Sequence, residues 1–269
     1  MRLESVAAAS QRALAEATAA RFPALEPAWL QAGGGIAAFL ELDSPVNGTF
    51  GLGMGRSVSA PDIRKLERFF AERGERALAG VCPLAHPTLL RVLAARGWMP
   101  AAFENVLARP LVITEMLEPP ADGIEVRVAL TEAEIELWAA LVANGFSAPE
   151  DPTPAELHLA RVSPDVPGTT ALLGYVDGKP AGTGEVAIDG EIAWLTTDTT
   201  LPEFRRRGVQ MALQCARLLL ARDAGCTLAV TESLPGSASQ RNMERLGFNV
   251  VYTRVEVLGP ATSKKGRSS

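Results

Sequence analysis

Apolar and polar positions alternate most informatively between residues 191 and 225. The segment EIAWLTTDTT (191–200) reads as a strand. After it, Val209, Ala212, Leu213, Ala216 and Leu219, with Leu220 beside them, fall at the three-and-four spacing of one helix face. Gly225 stands where a helix C-terminal glycine belongs. CTLAVTES (226–233) follows as a further strand. Upstream, IEVRVAL (124–130) reads as a strand and TEAEIELWAALVANGF (131–146) as a helix. A loop at 147–154 and a short helix from Ala155 come next. Two strands, 169–178 and 179–190, then meet at an Asp177-Gly178 hairpin turn.

The first hundred residues carry the same alternation. The alanine-dense N-terminus suits a helix, and Glu4, Gln11 and Glu16 interrupt it too often for a signal peptide. GGGIAAFLELDSPVNGTFGLGMG (33–55) predicts two strands around an Asn47-Gly48 turn. SAPDIRKLERFFAERGE (59–75) opens on Ser59 and Pro61 and turns apolar at Ile63, Leu66, Phe69 and Phe70, an amphipathic helix. ALAGVCP (77–83), a helix over 86–97 and the segment 98–111 complete this half. VLAARGWMPAAFENVL and NMERLGFNVVYTRVEV both read helix, Gly-aromatic, strand, so the chain is expected to hold two copies of one αβ unit. The Pro- and Gly-rich LEPPADG (117–123) reads as the linker between residues 1–116 and 124–258. The polar tail 259–269 is expected to be disordered.

Between the strand at 191–200 and the following helix stands Pro202-Glu203-Phe204-Arg205-Arg206-Arg207-Gly208-Val209-Gln210. The first turn of a helix has free N–H groups and a partial positive charge, so it attracts phosphate. Gly208 lets the backbone approach an anion, and the arginines can bind phosphate through two bonds at once. The physical reading is a pyrophosphate site. A solvated basic patch or a nucleic-acid contact is the competing one. The net charge of −5 and the absence of interleaved aromatics near the run argue against nucleic acid.

The run resembles the acetyl-CoA loop of the GNAT superfamily of N-acetyltransferases, Arg/Gln-x-x-Gly-x-Gly/Ala after a strand. Gln210 replaces the last small residue of that pattern. PGSASQRNMERLGFNVVYTRVEV (235–257) resembles the family's closing loop, short helix, Gly-Phe turn and last strand. The resemblance covers roughly residues 124–258. It implies a mixed α/β fold, acetyl-CoA as co-substrate and direct attack of an amine on the thioester. Residues 205–210 would hold the pyrophosphate, and the backbone of Thr200 and Leu201 the pantetheine and carbonyl. Ser239 and Asn242 would line the second wall of the cleft, although Asn242 reads equally as a surface residue and Ser237 better as an N-cap. The first half lacks the loop, SVSAPDIRKLERFF standing in its place, and so resembles a degenerate copy.

The resemblance also places a glutamate base where this chain has Trp194, and a tyrosine acid where it has Met243. Candidate substitutes are Glu185 and Asp198, the latter sharing strand parity with Trp194 and Thr196 if no bulge intervenes. Each also reads as an exposed strand residue. Tyr252 is a candidate acid or a core residue with a satisfied hydroxyl. His158 falls in the segment expected to shape the acceptor pocket, or is a packing histidine. Two functions remain: an N-acetyltransferase acting on a small-molecule or protein amine, and an acyl-CoA-binding module with little turnover.

Composition fits a soluble, cytoplasmic enzyme. Apolar residues make up 47% of 269, enough for a full core. Cys82, Cys215 and Cys226 are scattered and read as buried thiols, and the two histidines, His86 and His158, are too few for a zinc site. No segment has transmembrane length.

Overall fold

A computed structural model of the protein describes residues 2–112, 114, 117, 119–147 and 150–261. The tail expected at 259–269 therefore lies, from residue 262, outside the described residues. In chain order the elements are α1 (Arg2–Arg21), β1 (Ala28–Ala32), β2 (Gly35–Phe39), β3 (Gly48–Phe50), α2 (Ala60–Ala71), β4 (Leu78–Val81), α3 (Thr88–Ala95) and β5 (Met99–Pro110). They continue with β6 (Ile124–Val128), α4 (Glu132–Ser147), α5 (Pro154–Val162), β7 (Thr169–Val176), β8 (Lys179–Asp189) and β9 (Ile192–Thr200). The last are α6 (Val209–Asp223), β10 (Leu228–Ser233), α7 (Ala238–Arg245) and β11 (Asn249–Leu258). This is the mixed α/β architecture expected from the sequence. Among the described residues no helix is long and apolar enough to cross a membrane.

The chain forms two compact units, residues 1–104 with 252–269, and residues 105–251. In the first, β1, β2 and β3 are antiparallel neighbours, β3 meets β4 in parallel at Thr49 and Ala79, and residues 255–258 of β11 pair antiparallel with β4. The apolar stripe of α2, Ile63, Leu66, Phe69 and Phe70, packs with Phe39, Leu52, Trp98 and Val257. In the second unit, β6 to β9 form an antiparallel meander, β10 joins β9 in parallel, and residues 105–110 of β5 pair antiparallel with β10. Val209, Leu213, Leu218 and Ala221 of α6 seal one face of this sheet, and Trp138, Ala139, Val142 and Ala160 of α4 and α5 the other.

Packing and composition divide the chain at different places. The linker reading cuts at 117–123, whereas the compact units change over inside β5, after Glu104, and inside β11, before Tyr252. β5 is divided evenly between the units and β11 as three residues and seven, and a division of this kind leaves no mark on composition.

One turn also differs. The hairpin of the first unit turns at Gly33-Gly34, both at positive φ, between β1 and β2. Asn47 closes a loop instead. Its side chain accepts from the Leu40 N–H at 2.8 Å and donates to the Glu41 carbonyl at 2.7 Å, so β2 and β3 are joined by eight irregular residues, 40–47. An Asn-Gly pair signals a tight turn only when the asparagine side chain is not engaged elsewhere.

Candidate active site

The geometry of the second unit turns on β9. Opposite Glu185 stands Thr196 and opposite Thr183 stands Thr199, so Thr197 and Asp198 together face the single residue Gly184. This is a β-bulge, with Thr197 at φ +54°. Beyond it, the Leu201 N–H donates to the Ala181 carbonyl at 2.9 Å. The N–H of Thr200, one residue earlier, therefore points away from β8. On that side β9 pairs with β10 only as far as Leu195 and Thr231. Both strands continue, β9 to Thr200 beside β8 and β10 to Ser233 beside β5, without pairing to each other, so their C-terminal ends part. Thr197 and Ser233, each two residues past the last pair, carry buried hydroxyls with no hydrogen-bond partner among the described residues. Buried polar atoms left unsatisfied at a gap between strands suit a polar ligand lying there. Of the two residues assigned to pantetheine from sequence, Thr200 turns its backbone to the gap and Leu201 does not.

A turn of 3-10 helix (Pro202–Phe204) leads from β9 into the arginine run. Arg206 at φ +61° and Gly208 at φ +90° turn the backbone twice within three residues. Gly208 is the N-cap of α6, with no side chain capping the helix and no acidic residue in its first turn. The amides there have neither a side-chain acceptor nor a fixed counter-charge, and this suits an incoming anion. Arg205 lies against the Thr200 carbonyl at 3.4 Å, and Arg207 pairs with Asp177 of the β7–β8 turn at 2.9 Å, both at the surface. Val209 is buried in the core below the loop.

Gln210 and Asn242 turn out to be partners. The Asn242 amide donates to Gln210 Oε1 at 2.6 Å and its oxygen accepts from Arg245 at 2.6 Å, so the pair ties α6 to α7. Ser237 caps α7 by accepting from the Gln240 N–H, and Ser239 lies half-buried in that helix's first turn.

The structure separates the two carboxylates proposed as bases. The bulge shifts the parity of β9, so Asp198 does not share the face of Trp194 and Thr196. It is held by Arg217 of α6 through both oxygens, the Nη1–Oδ2 bond at 3.2 Å and a second from Nη2 to Oδ1. A carboxylate committed to a fully buried guanidinium is poorly placed to take a proton. Glu185 is buried on the face of the sheet covered by α4 and α5, and accepts from the Thr196 hydroxyl at 2.9 Å. Its Oε2 has no hydrogen-bond partner of normal geometry among the described residues. Burial pushes its carboxyl above the usual range, opposed by the Ser163 and Thr196 hydroxyls and the Arg217 charge.

Trp194 and Met243 are buried, Met243 within the core under α7. Tyr252 belongs to the first unit, where its hydroxyl donates to Glu4 at 2.6 Å. Burial and that carboxylate push the phenol up, so it is a satisfied core tyrosine. The three cysteines are buried and form no disulfide among the described residues.

Arg217 escaped the sequence reading, yet a signal was present. It follows Val209 and Leu213 at four-residue intervals, which puts a charge on the buried stripe. Gly182 and Gly184, alternate residues of β8, were a second signal. A Cβ at Gly184 would stand 2.9 Å from Arg217 Nε, so this glycine admits α6, while one at Gly182 would meet the Thr199 carbonyl at 2.5 Å and Val209 at 3.1 Å, so that glycine admits both β9 and α6.

In the first unit the corresponding strand-to-helix junction is closed. Ser59 caps α2 by accepting from the Asp62 N–H, and the Asp62 side chain returns to the Ser59 N–H at 2.9 Å. Asp62 also accepts from Arg56, at 3.0 and 3.1 Å, and from the Gly33 N–H. These bonds hold its carboxyl below the usual range despite burial. A fixed carboxylate occupies the place a phosphate would need.

The chain matches no family model and no curated protein. It is similar in structure to a GCN5-related N-acetyltransferase from Kribbella flavida, at 21% identity and TM-score 0.64 over 92% of this chain and 96% of that one. It is similarly related to a tandem GNAT protein from the clavulanic acid biosynthesis pathway, at 16% identity and TM-score 0.63 over 93% and 89%. A functionally unknown conserved protein from Staphylococcus epidermidis matches at 11% and 0.62 over 88% and 96%. These likenesses establish the fold as that of the GNAT proteins, in the tandem form.

Proposed function

We propose that the protein is an acyl-CoA-dependent N-acyltransferase, with acetyl-CoA as donor and a single working site in the second unit. The observation that carries this reading is the contrast between the two helix N-termini. That of α6 is uncapped and adjoins a parted pair of strands, whereas that of α2 is filled by Asp62. Residues 205–210 would receive the pyrophosphate, and the Thr200 backbone with the Ser233 and Thr197 hydroxyls the pantetheine amides.

The thioester supplies an acyl carbon already activated toward an amine. The chain's part is to hold that carbon beside the acceptor and to remove the amine proton. Positioning supplies much of the rate when the acyl group is reactive. Glu185 is the residue assigned to take the proton, a reading supported by its burial, which raises its carboxyl above the usual range. The acceptor is a small-molecule or protein amine. Nucleic acid and membrane are not among the expected partners, and the cytoplasm is the expected setting.

A second reading is a CoA-binding module with little turnover. It is favoured by one observation, that Trp194 and Met243, both buried, stand where the resemblance implies base and acid. Thiol release from acetyl-CoA over a broad panel of amines, run beside calorimetric titration of CoA, distinguishes the two. The enzyme releases thiol with at least one amine. A module binds CoA and releases none above the blank, and a protein that binds no CoA fits neither.

A further inference from the structure

We infer that Arg217 is a positioning residue, which from α6 holds the bulge of β9 and thereby presents the Thr200 N–H to the acyl-carrying arm of CoA. The inference rests on the proposed CoA site. Arg217 is fully buried. Its Nη1 donates to the carbonyls of Glu185 at 3.2 Å and Thr196 at 3.0 Å, its Nε to Leu213 of its own helix at 3.2 Å, and Nη1 and Nη2 to Asp198. One guanidinium thus spans β8, the strand residue before the bulge and the second residue of the bulge itself.

Gly184, the residue opposite the bulge, makes the room. A Cβ there would lie 2.9 Å from Nε and 3.0 Å from Cζ of Arg217. The Gly184 carbonyl is taken by Trp138 Nε1 at 3.2 Å. Thr183, on the face away from Arg217, donates to the Thr197 carbonyl at 3.0 Å and shares a 2.6 Å hydroxyl contact with Thr199. The bulge is therefore pinned from both faces of the sheet.

Its consequence is a matter of register. The extra residue decides which backbone groups of β9 face β8 and which face the gap. With the bulge, Leu201 bonds Ala181 and Thr200 is free to face the gap. A one-residue slip exchanges the two sides, and Thr200 would then turn toward β8. Arg217 lies on the same helix whose N-terminus receives the pyrophosphate, so one element fixes both ends of the donor, the anion directly and the arm through β9.

The test uses two ligands and the full chain. Acetyl-CoA carries the arm; 3′-phosphoadenosine 5′-diphosphate carries the same nucleotide and pyrophosphate without it. Both are titrated calorimetrically into wild type, Arg217→Lys and Asp198→Asn. Arg217→Lys keeps the charge and loses the fork, and Asp198→Asn leaves the three carbonyl bonds of Arg217 in place. Should the lysine variant lose its cooperative melt, the asparagine variant carries the measurement alone. The expected result is nucleotide binding within about three-fold of wild type and acetyl-CoA binding weaker by roughly ten-fold, the scale of one lost hydrogen bond. Equal weakening of both ligands would mean that Arg217 serves only the fold, and unchanged binding of both that it positions nothing; either overturns the inference. Wild type binding neither ligand instead overturns the proposed CoA site on which it rests.

Discussion

Glu185 carries a pH signature in the second unit. Its carboxyl is raised by burial, so the folded state binds the proton more tightly than the unfolded chain does. The sign follows from linkage: its contribution is favourable below the ordinary glutamate range and is lost as pH rises through the higher folded value. Glu185→Gln removes that loss. The variant is expected to gain on wild type in melting temperature as pH rises from 4 to 8, and a constant difference across that range would show that the carboxyl is not raised by burial. If Glu185 also takes the amine proton, the same change lowers kcat by about 10²–10⁴-fold, and less so at high pH where more amine is already neutral. At Gly208 the argument is conformational and electrostatic together. Its φ of +90° favours glycine, and a side chain there would crowd an anion on the loop. Gly208→Asp adds like charge at that place. It is expected to abolish CoA binding in titration while the circular dichroism spectrum persists, the backbone strain and the 3.3 Å approach of a Cβ to Ile124 lowering the melting temperature without unfolding the chain. Normal CoA binding by this variant would remove the pyrophosphate from the loop.

Among the elements, α6 and its approach were legible in the sequence because their signals are local. Apolar spacing gave the helix, Gly208 its start, and the arginine run its charge. Local spacing cannot show a bulge, which is a relation between two strands; hence Thr200 and Leu201 could not be told apart, and the parity of Asp198 could be read only on condition that no bulge intervened. Gln210 and Asn242 likewise needed the packing of α6 on α7 before they could be seen as each other's partners. The contrast of α6 with α2 gives an element-scale prediction. Arg205 is exposed and contributes one charge to the loop, whereas the amides of α6 contribute its whole N-terminus. Arg205→Ala is therefore expected to weaken CoA by the worth of one charged hydrogen bond, about 1.5–3 kcal/mol or less, and by less still at high salt. A loss as complete as that of Gly208→Asp, measured in the same titration, would mean that side-chain charge and not the helix terminus dominates.

Across the whole molecule, the repeat was visible as two similar segments, but the exchange of strand halves was not, because either half of β5 or β11 reads simply as strand. The exchange has an energetic consequence in the first unit. Arg254, fully buried on β11 one residue before the part that pairs with β4, bonds Glu4 of α1 at 2.9 Å and Glu104 at 3.3 Å, and lies 4.9 Å from the centre of the Phe50 ring. The two ends of the chain, residues 4 and 254, thus meet in one buried ion pair. A cut at the linker separates them. Residues 1–116 lack both Arg254 and the strand that extends β4, and they retain residues 105–110, which β10 needs. Neither 1–116 nor 124–269 is therefore expected to melt cooperatively alone, and co-expression of the two is expected to restore the fold. Glu4→Ala tests the ion pair within the intact chain. It leaves the Arg254 guanidinium buried with Glu104 as its remaining carboxylate, and removal of one partner from a buried pair costs about 3–5 kcal/mol. Thermal unfolding is expected to move down accordingly, whereas Glu4→Gln, which keeps one acceptor for Arg254 and Tyr252, is expected to lose less. A cooperative melt in the isolated 1–116 fragment, or wild-type stability in Glu4→Ala, would show that the first unit does not depend on the end of the chain.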